Sequence, residues 1–407
     1  MPLLAILALG FAIRLFIIAR SGSPPETQEH HQIVQNLLSG KGYIFVTHDG
    51  TVYRSFYSGV FYIWLTVVLY TLFPPGQTAM LMAQSVSSVL LAAVVFFIGR
   101  RLWNESVGLL AALGTMTHPA LAYFDTQKIH PLSFDCFTTA LALLALLWMR
   151  RSRRPIAPWL AGLVGGIALL QRATLLLVIP FGLFWLWRFS ERDGRLRRRM
   201  VGYLMGALLV VGPWVARNVV IHGAPILLTT TGEHFWIGNA PASYGSNYLP
   251  SGRSVLGTTS PKFYAAISKS DEMGQFRLFW RAGLENAKAH PWRTLSKMGW
   301  KFLYFWSFAP QTGLWYPRIY LYLYAPYYAF LFAFAVQGAR RLASVSRSQP
   351  EAFSGFVLIL AALFSTAVIH SVLYFELHHR WSIEPLLIVF SSIGLVSALL
   401  HLEAQRG

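Results

Sequence analysis

The chain has 407 residues, of which 55% are apolar, 15% aromatic and only 12% charged, with a mean hydropathy of +0.47. Soluble domains carry about twice that charged fraction, and apolar runs of about 18 residues recur, so the chain reads as a polytopic helical membrane protein. A net charge of +18 invites a nucleic-acid reading, but the arginines fall in short runs between apolar segments, as in cytoplasmic loops; the one cysteine, Cys136, excludes an intrachain disulfide.

Ten spans account for the apolar segments. The first, about residues 3–18, has no basic leader and is interrupted by Arg14, so it reads as an uncleaved span rather than a removable signal. A long loop follows, about residues 20–78. In it, PPETQEHHQIVQNLLSGKGY sets Glu26, Glu29, His30 and His31 ahead of Ile33, Val34, Leu37 and Leu38 at helical spacing, closed by Gly40 and Gly42. A turn is expected at His48-Asp49-Gly50. The run VFYIWLTVVLYTLFPPG reads as a helix in or near the membrane interface, where Tyr62, Trp64 and Tyr70 are at home.

The remaining spans are expected at about 80–98, 107–124, 130–148, 159–170, 175–187, 201–215, 320–336, 353–370 and 386–400. With the basic runs at 100–101, 150–154, 188–199 and 340–347 in the cytoplasm, the ends alternate without conflict. The Glu26 loop and the polar stretch from about 217 to 297 then lie outside. This gives an N-terminal membrane module over 1–216, an extracytoplasmic region over 217–297 and C-terminal helices over 298–407.

The outside-facing polar residues are few. They are Glu26, Glu29, His30, His31, Asp49 and Arg54 in the first loop; Asp125, Lys128 and His130 between spans three and four; Arg172 between five and six; Arg217 and Asn218 after seven; and Glu376, His378, His379 and Arg380 before ten. Charges beside hydrocarbon are costly, so such a cluster marks a site, and guanidinium groups suit phosphate oxygens. Each residue also has a plainer reading. Glu26 can cap the helix that follows. Asp125 and Lys128 can pair with each other at helical spacing. Arg54 can snorkel, Arg172 can be a helix-end charge, and His130 can be a satisfied interfacial histidine. The pair His378-His379 could hold a divalent metal, but no acidic or histidine partner stands at ligand spacing.

Several stretches in order resemble the GT-C glycosyltransferases, in particular the relatives of protein O-mannosyltransferases and aminoarabinose transferases found in bacteria. They are PPETQEHHQIVQNLLSGKGY, VYRSFYSGVFYIWLTVVLYTLF, GLVGGIALLQRATLLLVIP, PWVARNVVIHGAPILLTTTGEHFWIGNAP and HHRWSIEP. Where the family has Asp, an aromatic residue and an acid at the start of span four, this chain has Glu26, His30 and His130. The resemblance implies an all-α GT-C bundle with juxtamembrane helices in the first loop. It implies sugar transfer from a polyprenyl-phosphate donor to an extracytoplasmic lipid, glycan or protein, with Glu26 as general base. Arg54, Arg172, Arg217 and Arg380 would meet the donor phosphate, and Glu29, His30, His130, Asn218 and Asn239 would complete the substrate site. No cofactor is certain and a divalent metal stays open. The alternative is a transporter or flippase of a lipid-linked or anionic substrate, against which stands the lack of a repeat or of paired broken helices in the sequence.

Overall fold

The computed structural model describes residues 1–47, 50–57, 59–190, 194–308, 318–345 and 348–404. The expected turn residues His48 and Asp49 lie outside these, as do parts of two basic runs. The first half comprises α1 (Pro2–Arg20), β1 (Glu26–Thr27), α2 (Glu29–Leu38), β2 (Phe45–Val46), β3 (Val52–Tyr53), α3 (Val60–Leu72), α4 (Gln77–Leu102), α5 (Glu105–Met116), α6 (Pro119–Gln127), β4 (Lys128–Ile129) and α7 (Leu132–Arg151). The second comprises α8 (Ala157–Gln171), α9 (Val178–Phe189), α10 (Arg195–His222), α11 (Thr231–Asn239), α12 (Pro261–Ser268), α13 (Glu272–Ala289), α14 (Pro291–Phe305), α15 (Arg318–Ser344), α16 (Pro350–Val372), α17 (Leu377–Trp381) and α18 (Glu384–Ala404).

The apolar segments expected from sequence are all helical, in the expected order. By length and apolarity, six helices can cross a membrane among the described residues: α1, α4, α7, α10, α16 and α18. A seventh is the pair α5–α6, bent by 46°. The bend falls at Pro119, which has no N–H to give to the preceding turn. The count of ten is not confirmed. At 15 and 12 residues, α8 and α9 reach about 22 and 18 Å, short of a hydrocarbon core of about 30 Å. The third shortfall, α15, is 27 residues long, but its first half is rich in tyrosine and holds Pro326.

Glycines set the closest helix contacts. A Cβ at Gly162 or Gly166 of α8 would strike the Tyr203 or Ala207 carbonyl of α10, and one at Gly338 of α15 would strike the Phe390 carbonyl of α18. Small residues let helix backbones meet where lipid offers no hydrophobic drive for association. This gives a physical reason for the glycine spacing in GLVGGIALL.

The ends of the bundle differ in chemistry. At one, Arg101 donates to the Leu147 carbonyl at 2.9 Å, and Arg150 and Arg151 reach Ser354 and Glu351 of α16. The other end receives the chain after α1, α6, α8, α10 and α16, and carries two added layers. In the first, Ile33 and Val34 of α2 pack on Tyr62, Ile63 and Tyr70 of α3 and on Ile129 and Phe134. Phe61, Trp64, Val68 and Leu72 leave an exposed apolar face on α3, as expected of an interfacial helix. In the second, Trp236 and Ile237 of α11 pack on Ile267 of α12 and Phe279 of α13.

The layers are tied together by a carboxylate. Glu272 at the start of α13 accepts from the backbone N–H groups of Arg54 and Ser55 at 2.7 and 2.8 Å, and from Thr229 Oγ1 at 2.6 Å.

Candidate active site

The site begins where β1 lies parallel to β4, with Glu26 opposite Lys128. The side chains repeat this pairing: Lys128 Nζ stands 2.8 Å from Glu26 Oε2. The helix-capping reading of Glu26 fails, because α2 begins at Glu29 with Gln28 as its N-cap residue and no side-chain cap. The pairing of Asp125 with Lys128 is also replaced. As α6 ends at Gln127, Lys128 is extended and leaves the helical face that Asp125 occupies. Asp125 is instead buried against Arg14 of α1 at 2.8 Å and Ser88 at 2.6 Å. The Glu26 side chain is 55% exposed and Lys128 only 17%, so the carboxylate reaches outward from a partly covered ammonium. The lysine also lies 5.3 Å from the ring centre of Phe124.

Behind this pair is a cluster of aromatic, imidazole and carboxyl groups. Glu29 accepts from Tyr57 Oη at 3.4 Å, and Tyr57 stacks on His30 at 4.0 Å between ring centres. His30 faces His130 at 6.3 Å, and His130 faces His378 at 5.8 Å. His378 Nδ1 stands 3.3 Å from Glu376 Oε2. Burial lowers His30 and His378 to about 3, so both rings are neutral. The His130 Nδ1 accepts from the Leu132 N–H at 3.1 Å, and burial holds that ring neutral too. Burial, and then the charge of Glu29, lifts Glu376 to about 7. Burial likewise lifts Glu233 of α11 to about 7.

The arginines fall into three environments. Arg172, beyond the end of α8, donates from Nη1 to Asp135 at 2.8 Å and from Nη2 to the His379 carbonyl at 3.3 Å, while its buried Nε has no partner. The exposed Arg54 side chain makes no hydrogen bond among the described residues; its backbone is fixed by Glu272 and by Arg217, which donates to the Arg54 carbonyl at 3.0 Å. Arg217 also lies over Trp214 and donates to Asn218 and to Ser55 Oγ, and Asn218 accepts from Ser55 Oγ at 2.8 Å while donating to the Ile226 carbonyl at 2.8 Å. Both therefore hold the first loop to the end of α10. Arg380 is fully buried. It bonds Glu384 at 2.8 Å, the Phe305 carbonyl at 2.7 Å, the Ser307 carbonyl and Tyr324, and lies over Tyr328. Its donors are all turned into the bundle, away from the surface that Glu26 reaches.

Asn239 bonds the carbonyls of Phe235 and Val372, each at 2.8 Å, and so joins α11 to the end of α16.

Sequence reasoning passed over Asp135, a carboxylate near the start of an apolar span, which by itself signals function or pairing. It also passed over Tyr57, Glu233 and Glu272, which had no local signal. Among the described residues no three histidine, cysteine or carboxyl side chains gather as metal ligands.

The family described as dolichyl-phosphate-mannose-protein mannosyltransferase matches residues 58–216. No curated protein matches the chain. Among solved structures, the oligosaccharyltransferase of Archaeoglobus fulgidus in the apo form is similar over 99% of this chain and 51% of its own, with a TM-score of 0.60 at 13% identity. The same enzyme, AglB, in complex with an inhibitory peptide and a dolichol-phosphate gives 0.58 at 12% identity, over 99% of this chain and 51% of that one. ArnT from Cupriavidus metallidurans bound to undecaprenyl phosphate gives 0.44 at 13% identity, over 97% and 77%. The chain is a membrane protein of the GT-C glycosyltransferase fold. It spans about half the length of the archaeal enzyme, 51%.

Proposed function

We propose that this chain transfers a sugar from a polyprenyl-phosphate donor to an acceptor at the bundle end that carries Glu26. Its likeness to AglB, a protein of this fold captured with a dolichol-phosphate, supports the donor class. In the reaction, an acceptor hydroxyl or amine attacks the anomeric carbon. Glu26 takes the proton from the attacking atom, the bond from that carbon to the phosphate oxygen breaks, and its electron pair leaves with the polyprenyl phosphate.

The observation that carries this reading is the double pairing of Glu26 with Lys128. It fixes a solvent-reaching carboxylate beside a cation, in front of a cluster that is otherwise neutral or anionic. Arg54, with an exposed guanidinium, and Arg172, with an unpartnered buried N–H, are proposed to meet the charge developing on the departing phosphate. Arg217, Asn218 and Asn239 act as positioning residues. Placing the arginine-rich end in the cytoplasm puts the site on the outer face of the cytoplasmic membrane.

The test is complementation in a strain lacking the gene, followed by comparison of envelope lipids, glycans and proteins. Wild type restores the missing sugar, and Glu26→Gln, present in membranes at the same level, does not. Restoration by Glu26→Gln, or movement of a lipid-linked substrate in sealed vesicles with no sugar transferred, overturns the proposal.

A further inference from the structure

Away from Glu26, a cavity of about 410 Å3 lies between α14 and the turn after α11. It is lined by Arg293, Lys297 and Lys301, with Ser243, Tyr244 and Trp300 beside them. The three cations stand four residues apart on one face of α14, so they repel one another. Among the described residues none forms an ion pair with a carboxylate. Their protein partners are carbonyl and amide oxygens. Arg293 Nη2 donates to the Pro241 carbonyl at 2.9 Å and Lys297 Nζ to that of Ala240 at 2.7 Å. Lys301 Nζ reaches the carbonyls of Val372 and Leu373 and the Asn239 amide oxygen.

Bonding the carbonyls of Ala240 and Pro241, just beyond the end of α11, accounts for one donor on each of the first two cations. It leaves two N–H donors on Lys297 and more on the Arg293 guanidinium. Lys301 is different: its three donors are engaged, and it is only 2% exposed. Burial and the neighbouring Lys297 lower it to about 7, and burial lowers Lys297 to about 8. A buried cation without a counter-charge is costly, and an anion in the cavity removes that cost. The backbone is shaped for close approach. Gly245 has φ +90°, and a Cβ there would lie 2.6 Å from the Lys301 stem. The outer face of α14 exposes Trp292, Leu295, Trp300 and Leu303, which suits a helix at the level of lipid headgroups.

We infer that this cavity is an anion site taking a phosphate ester, with Arg293 and Lys297 bonding its oxygens and the buried Lys301 standing behind them. The ester can be an anionic phospholipid headgroup or the phosphate of a soluble or substrate-borne group. The cavity volume is in the range of small-ligand pockets.

The full-length protein in phosphatidylcholine nanodiscs separates these sources. One arm adds phosphatidylglycerol and counts retained molecules by native mass spectrometry. The other titrates inorganic phosphate against chloride at constant ionic strength and follows thermal stability. Wild type is expected to retain phosphatidylglycerol, to gain stability with phosphate, or both; retention alone identifies a lipid headgroup and phosphate stabilisation alone a soluble ester. The double variant Arg293→Met, Lys297→Met should lose the effect by about tenfold or more in affinity, as expected for charge-assisted bonds. Ser296→Asp, which puts a carboxylate on the exposed side of the cavity without removing a cation, should lose it too. Lys262→Met, an exposed cation elsewhere, should not. No binding by wild type, or equal binding by wild type and Ser296→Asp, overturns the inference. Turnover is not read, so the outcome is independent of the role proposed for Glu26.

Discussion

Glu26 and Lys128 are joined twice, by the parallel bridge of β1 with β4 and by an ion pair of 2.8 Å. The bridge is short, but it ties the loop after α1 to the point where the bent span α5–α6 hands over to α7. A carboxylate on a tethered loop loses little entropy on reaching its working position, which is the geometric requirement of a general base.

Exchange of the two charges separates structure from chemistry. Glu26→Lys alone sets two ammonium groups together and should lower thermal stability. Adding Lys128→Glu restores the pair, and most of the stability, but moves the carboxylate to the β4 side. Sugar transfer should then stay about 10²–10⁴-fold below wild type, the usual share of a positioned base. Recovery of transfer along with stability would make the pair structural only.

The buried acids and imidazoles make opposite contributions to pH dependence. Glu376 and Glu233 have folded values of about 7, above the unfolded carboxylate value of 4.5. Between those limits the folded state holds more protons, so each group's contribution to stability falls as pH rises through about 4.5 to 7. Glu376→Gln should therefore gain stability over wild type across that window, with the difference levelling off above about pH 7. His30 and His378 sit at about 3 against 6.5 unfolded, so their contribution is lost as pH falls below 6.5. His378→Gln should blunt that acid-side loss. Denaturation midpoints from pH 4 to 8 read both effects; parallel curves for Glu376→Gln and wild type would contradict the first.

What the sequence could reveal follows from how local each signal is. The apolar runs of α1, α4, α7, α16 and α18 and the amphipathic α2 were legible because length and spacing are properties of one segment. The Glu26 loop was legible as a cluster of charges beside a span. Partners were not. Asp125 lies three residues from Lys128 but pairs with Arg14, 111 residues away. Glu272 clamps the Arg54 backbone across 218 residues. Arg380 looked like an outward arginine because its sequence neighbours are polar, while its real neighbours come from α14, α15 and α18. The count of ten spans is not confirmed for a local reason, since apolarity without length does not fix a crossing.

The pair of Arg14 with Asp125 gives a stability prediction. Both side chains are at most 2% exposed, and Arg14 also donates to the Met116 carbonyl at 3.0 Å. Asp125→Leu strands a buried guanidinium and should cost about 3–5 kcal/mol. Arg14→Met with Asp125→Leu removes both charges and should recover most of that loss. Detergent denaturation of the purified protein measures both; a double variant no better than Asp125→Leu would mean that the carboxylate matters through Ser88 rather than through Arg14.

Arg54 and Arg380 should fail in different ways. Arg380 directs its donors to Glu384, Tyr324 and the carbonyls of Phe305 and Ser307, with Tyr328 against its face. Lysine keeps the charge but cannot reproduce the planar fork. Arg380→Lys should therefore lose about 2–4 kcal/mol of stability, while the folded fraction keeps the wild-type KM for donor. Arg54 presents its guanidinium to solvent while Glu272 and Arg217 hold its backbone. Arg54→Ala should leave the melting temperature nearly unchanged and lower kcat/KM by about ten- to a hundredfold, the worth of one charge-assisted bond to a phosphate. Transfer assays at several donor concentrations, run beside melting curves, distinguish the two. An Arg54→Ala protein with unchanged donor KM and kcat would remove that residue from the phosphate site and leave Arg172 to carry it.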